Sequence, residues 1–234
     1  MYLIISLSLA IIPVLLLLVY FYRRDHLKPE PGGLILKIFL LGVLSTIPVI
    51  ILELTVALFD DAIRFHPLAG YAFRSFVIAA LCEEGFKFII VKQFAYNRVE
   101  FDEVMDGIVY TIVASLGFAL AENVLYVIRT GIVVAFLRAV TAVPLHALAS
   151  GLMGYYLGVA KFITDKTSER KLFIKGLGLA ILVHGLYNFF LFSVEFLGEW
   201  IAFGIIPVLL LSGIFLQSKI KTAQSSDLET GRVV

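Results

Sequence analysis

Charge is scarce in this chain. Only 16% of its 234 residues are Asp, Glu, Lys or Arg, against about 25% in an average soluble domain. That shortage excludes a soluble globular enzyme, a nucleic-acid binder and a disordered protein. Cysteine is nearly absent: Cys82 alone excludes a disulfide framework and any CxxC metal site. The chain has no glycine-rich phosphate loop, no GxSxG nucleophile elbow and no HExxH zinc-protease string. It shows no internal repeat and no low-complexity tract. The amino terminus lacks a basic n-region and a small-x-small cleavage site, and Arg23-Arg24 follow the first apolar stretch. A retained signal anchor is therefore expected rather than a cleaved signal peptide.

What the chain has in abundance is hydrocarbon. Hydrophobic residues make up 60% of it, with a mean hydropathy of +0.98. At about 20 apolar residues per membrane helix this suffices for about seven spans. Apolar stretches fall at about 2–22, 34–59, 70–94, 106–128, 132–160, 174–194 and 198–217. They are too long for soluble-core strands and lack the alternation of a β-barrel. Backbone left unsatisfied in lipid makes them helices. The expected fold is all-α, a polytopic transmembrane bundle. Residues 1–217 form its single domain, and 218–234 a solvated, mobile cytoplasmic tail. Alternate connections carry Arg23, Arg24 and Lys28, then Lys92 and Arg98, then Lys161, Lys166, Arg170, Lys171 and Lys175, then Lys219, Lys221 and Arg232. The opposite ones have only Arg64 and Arg129, with Glu195 and Glu199 in the last. Counting bases places the amino terminus outside and the carboxyl terminus inside.

Polar residues inside such spans are the informative ones, because each costs a few kcal/mol at the bilayer centre on insertion scales. Glu83, Glu84 and Lys87 lie in the third stretch, Glu122 and Asn123 in the fourth, Arg138, Pro144 and His146 in the fifth, His184 and Asn188 in the sixth. Glu53 is a lone carboxylate in the second. Counted at ~1.5 Å per residue, Glu83, His146 and His184 form a layer near the midplane. Glu122, Arg138 and Asn188 form a second layer nearer the outside. His184 and Asn188 share a helix face, as do Glu83 and Lys87, and Glu84 sits three before Lys87. Glu84 and Lys87 read as an ion pair that leaves Glu83 free to act as a base.

Such a set supports water activation. A carboxylate takes a proton from water, a neighbouring imidazole orients that water, and a second His with an amide one turn on donates to a developing oxyanion. Pro144 kinks its span and frees a carbonyl. Alternatively Glu83, His146 and His184 hold a zinc ion with one position open for water. A proton-coupled transporter also places Glu, His and Arg inside spans. Cys82 points away from Glu83 and reads as a buried small hydrophobe. Ser150, Gly154 and Gly158 read as a small-residue packing stripe. Asp106 and the preceding FDEVMDG read as an acidic helix start.

The strings CEEGFK (82–87), FDEVMDGIVYTIVASLGFALAENVLY (101–126), the run from Arg138 to His146 with ALASGLMGYYLG after it, and HGLYN (184–188) together resemble the PrsW family of intramembrane proteases. That family is related in motif layout to the CPBP/Abi group and the type II CAAX prenyl proteases. The core motifs cover residues 83–188 in the expected order. The resemblance implies a multi-pass protease of the bacterial cell membrane. Its partners would be the lipid bilayer and a single-span membrane protein, an anti-sigma factor cut on its extracytoplasmic side, with no nucleic acid. Glu83 and Glu84 match the family's glutamate pair, His146 its intervening histidine and His184 its last-motif histidine. From the related sites, Glu83 with His146 would activate water, and His184 with Asn188 would form the oxyanion hole, although some members carry Asp at the position of Asn188. Lys87, Glu122, Asn123 and Arg138 would support them. The group has been described both as glutamic-type and as metalloproteases. No cofactor is favoured; zinc is the alternative.

Overall fold

Ten α-helices run through the described part of the chain, residues 2–25, 28–60 and 66–231 of a computed structural model. Arg64 and Arg232, used in counting bases, lie outside the described residues. The helices are α1 (Tyr2–Arg24), α2 (Gly32–Asp60), α3 (Pro67–Phe73), α4 (Cys82–Phe94), α5 (Val104–Thr130), α6 (Ile132–Val140), α7 (Ala142–Lys161), α8 (Lys166–Phe192), α9 (Val194–Leu197) and α10 (Ile205–Glu229). No strand occurs among the described residues. Six helical segments are long and apolar enough to cross a membrane: 4–24, 32–56, 104–130, 132–161, 166–192 and 199–229. The remaining expected stretch, 70–94, is helical from end to end but in three pieces, with a π-helical segment, Arg74–Leu81, joining α3 to α4. It carries Glu83, Glu84, Lys87 and Lys92, which sets it apart from the six. A π segment widens the turn and re-aims the side chains beyond it, a device frequent at functional sites. Here it leads directly into Glu83 and Glu84.

Helix α5 is the buried axis of the bundle, with α1, α2, α7 and α10 packed around it. Every residue from Val104 to Ala119 is buried. Its start is set locally: Glu103 and Asp106 form a capping box, which satisfies amide groups that the first turn cannot pair. Gly131, at φ +84°, ends α5 and turns the chain into α6, a conformation that costs glycine little. The fifth apolar stretch is not one straight rod. It breaks at Thr141, three residues before Pro144, whose ring has no N–H to continue the ladder.

The Ser150, Gly154, Gly158 stripe does pack helix on helix. A methyl group added at Gly154 would overlap the Gly107 carbonyl and the Thr111 hydroxyl, and one at Gly158 would overlap the Val104 carbonyl. The backbones of α5 and α7 thus touch with no room for a side chain, the close approach small residues allow in membranes. Gly154→Val is expected to destabilise the protein by about 3 kcal/mol or more, the upper end of the cost of overpacking. A thermal melt in detergent would show it, and a melting point equal to wild type would contradict this packing.

Two expectations are corrected. The tail does not leave the bundle: α10 continues to Glu229 with Ile220, Ala223 and Asp227 buried. The Asp227 carboxylate accepts from the Val104 and Met105 amides at 2.9 and 3.1 Å, so the expected mobile segment caps α5. Cys82 is only partly buried, because the widened turn before it leaves its thiol near the Val77 carbonyl at 3.6 Å.

Candidate active site

Five helices bring the intramembrane polar residues to one place. From α4 come Glu83, Glu84 and Lys87; from α5 Glu122 and Asn123; from the α6–α7 pair Arg138, His146 and Ser150; from α8 His184 and Asn188. Glu83, Glu84, Lys87, Asn123, His146, His184 and Asn188 are all buried. The two layers expected from residue counting are in direct contact, since the His146 imidazole bonds Glu122 at 2.9 Å.

Glu84 is fully engaged. Its Oε1 accepts from the Lys87 ammonium at 2.7 Å and from His184 Nδ1 at 2.9 Å. Its Oε2 accepts from the Ser150 hydroxyl at 2.7 Å. Glu83 is held far more loosely. Lys87 lies 3.3 Å from its Oε2, while His146 Nδ1 and His184 Nε2 each stand 3.8 Å from one of its oxygens. Glu83 also faces a cavity of about 500 Å³ lined by Glu53, Arg74, Glu122, Arg138, Tyr187 and Asn188 among others. Of the two adjacent carboxylates, one is a strut and the other faces open space.

The hydrogen bonds set both imidazoles. Lys87 donates to His146 Nδ1 at 3.0 Å, and an ammonium has no acceptor, so His146 carries its proton on Nε2 and donates it to Glu122. Glu84 as acceptor places the His184 proton on Nδ1. The two rings meet edge to face at 5.1 Å between centroids, and their unprotonated nitrogens turn toward Glu83. Behind this core Arg138 pairs with Glu122 at 2.9 Å, donates from Nε to the Asn123 carbonyl oxygen at 2.7 Å and lies over the Tyr126 ring at 3.9 Å. That chain, Asn123–Arg138–Glu122–His146, orients the imidazole from the side away from Glu83.

Sequence reasoning missed two residues. Ser150, read only as a packing position, is also the third donor to Glu84. Its i,i+4 spacing from His146 was the available signal. Ser115, whose hydroxyl bonds the His146 carbonyl at 2.8 Å, had no signal at all, being one small residue among many in α5. Glu53 reaches the cavity wall from α2.

Whether the residues suit a metal can be judged from the donor set. One ligand atom from each of Glu83, His146 and His184 falls within 4.8 Å of the others. The set is two imidazoles and one carboxylate, as in catalytic zinc sites. Each His gives its other nitrogen to a carboxylate, the usual support of a metal-bound imidazole. The set fits zinc in kind and number, though the Lys87 ammonium stands against the same His146 nitrogen.

A carboxylate on the wall of a cavity, backed by two imidazoles, inside a membrane-spanning bundle is the equipment of an intramembrane hydrolase. Residues 30–214 match the family model described as "PrsW family intramembrane metalloprotease". Protease PrsW of Bacillus subtilis (strain 168) is 36% identical over 221 residues, covering 94% of this chain and 96% of that one. Protease PrsW of Geobacillus kaustophilus (strain HTA426) is 39% identical over 188 residues, 80% of each chain. Protease PrsW of Oceanobacillus iheyensis is 41% identical over 185 residues, covering 79% of this chain and 82% of that one. No solved structure matches. The chain belongs to the PrsW family and is a multi-pass bacterial membrane protease. Family membership decides between the protease and transporter expectations.

Proposed function

We propose that the protein is an endopeptidase that makes the first cut in a single-span membrane protein, an anti-sigma factor, using water activated by Glu83. The observation that carries the reading is the contrast between the two adjacent glutamates. Three donors hold Glu84, whereas Glu83 faces a cavity with two imidazole nitrogens 3.8 Å from its oxygens. In this reading Glu83 takes the proton from water, and His146, braced by Glu122 and Arg138, orients that water. The amide of Asn188 donates to the oxyanion. His184, which Glu84 holds through Nδ1 at 2.9 Å, turns its Nε2 toward the same space. Lys87 balances the carboxylate pair and keeps Glu84 in place. The anti-sigma substrate rests on the family resemblance.

A second reading is favoured by the same tautomers, whose unprotonated nitrogens converge with Glu83. Zinc held by Glu83, His146 and His184 would polarise the scissile carbonyl and make its bound water acidic. The Lys87 ammonium at 3.0 Å from His146 Nδ1 favours the metal-free reading.

The proposed activity is tested by reconstituting the purified protein in liposomes with a single-span anti-sigma factor and locating the cut by mass spectrometry. A cut near one membrane face that is lost in the His184→Ala variant is expected. An uncut substrate, or a cut unaffected by His184→Ala, would overturn the proposal.

A further inference from the structure

A second group of carboxylates lies at the other end of α5. Asp106 and Glu122 are sixteen residues apart in that helix, which at ~1.5 Å per residue is about 24 Å. Asp25, in the connection between α1 and α2, meets Glu103 and Asp106 at the start of α5. The three are 2%, 1% and 0% exposed, and one carboxylate oxygen from each lies within 4.8 Å of the others. Neither oxygen of Asp25 has a hydrogen-bond partner, nor does Oδ1 of Asp106. Its Oδ2 is occupied in the capping box, accepting from the Asp102 and Glu103 amides.

Two neighbouring lysines act on these carboxylates only through space, their ammonium groups being bonded elsewhere. Lys28 bonds Asp102 at the exposed rim. Lys161 donates to the carbonyls of Tyr96 and Arg98. Close by, two more buried carboxylates are already engaged: Glu30 accepts from the Tyr110 hydroxyl, and Asp227 caps the first amides of α5. A buried charge persists only when paired or bound to a metal. Three buried carboxylates that meet at one point, with both oxygens of Asp25 and Oδ1 of Asp106 unpartnered and no basic side chain among the described residues bonded to them, call for a cation. Their donors are all hard oxygen, which selects magnesium or calcium and not zinc.

We propose that Asp25, Glu103 and Asp106 bind a hard divalent cation, magnesium or calcium, which clamps the α1–α2 connection onto the start of α5. This site is separate from the Glu83 centre in place and in donor chemistry. Its role is to fix the end of the bundle where α1, α5 and α10 meet, and the reaction does not pass through it.

The test uses the full-length protein in detergent, stripped with a chelator and dialysed at pH 7.5. Thermal melting is followed by circular dichroism while magnesium, calcium or zinc chloride is added, with potassium chloride at equal ionic strength as the control for screening. Magnesium or calcium is expected to raise the melting temperature by several degrees, since a ligand that binds only the folded state stabilises it. The larger rise at equal concentration identifies the cation. The Asp25→Asn/Glu103→Gln double variant is expected to lose that rise and, without cation, to melt at or above the stripped wild type, because like charges have been removed. Manganese, counted by electron paramagnetic resonance in a Glu83→Gln background, is expected to bind at least tenfold more weakly once Asp25→Asn is added. The proposal falls if potassium chloride matches the divalent salts, or if the double variant keeps the rise. It also falls if acidification to pH 5 stabilises the wild type while divalent cations add nothing at pH 7.5, since the carboxylates would then be sharing protons.

Discussion

Glu83→Gln is expected to leave the protein folded and inserted while lowering cleavage by about 10²–10⁴-fold, the usual contribution of a positioned general base. The isosteric amide keeps the volume at the cavity wall and cannot take a proton. Its effect on stability should be small, because Glu83 has one direct partner, Lys87 at 3.3 Å. Glu84→Gln provides the contrast. It weakens three bonds at once, from Lys87, His184 and Ser150, so it is expected to lower both the melting temperature and the activity. A Glu83→Gln enzyme with near wild-type turnover would remove Glu83 from the chemistry. The same assay with a tight chelator separates the two readings of the site. Cleavage that survives chelation in the wild type leaves Glu83 as the base. Cleavage that is lost, restored by zinc, and accompanied by bound zinc that disappears in Glu83→Gln makes Glu83, His146 and His184 the ligands.

The helical, membrane-spanning character could be read in the sequence because lipid imposes it. Long apolar stretches have no other stable backbone there, and the seven expected stretches are helical over most of their described length. The site residues were visible for the same reason: a charge in a span is costly enough to stand out. What the sequence concealed depends on packing rather than on cost. The π-helical turn before Glu83 has no residue signature in RSFVIAAL. Ser150 is as common in a small-residue stripe as in a hydrogen-bond network, and only the approach of α4 to α7 distinguishes the two. The end of α10 was misread because KIKTAQSSDLE is polar enough to look solvated. Yet Ile220, Ala223 and Asp227, three and four residues apart, form a helical stripe that presses against the bundle. Residue counting also kept Glu122 apart from His146, because counting along straight spans ignores the break at Thr141.

Lys87→Met is expected to be more damaging to the fold than either glutamate substitution. The ammonium is fully buried, bonded to Glu84 at 2.7 Å and to His146 at 3.0 Å, and lies 4.5 Å from the centre of the Phe118 ring. Removing one partner of a buried ion pair typically costs about 3–5 kcal/mol, because the remaining charge is left uncompensated. Here two adjacent carboxylates would be stranded. Against a total stability of about 5–15 kcal/mol for a typical domain, that loss is a large fraction of the whole and should lower the melting temperature markedly. Removing the pair together is a different matter. Glu84→Gln/Lys87→Met leaves an amide whose oxygen can accept from His184 and whose NH2 can donate to the Ser150 hydroxyl, and no stranded charge at position 84. The double variant is therefore expected to recover at least half of the stability lost by Lys87→Met, a coupling of about 1–3 kcal/mol. It should remain inactive, because the imidazole settings that depend on Lys87 and Glu84 are gone. Melting curves of the two single variants and the double in one detergent measure this cycle. Additive losses would mean that Lys87 serves His146 and Glu83 rather than Glu84, moving it from the scaffold of the site into its chemistry.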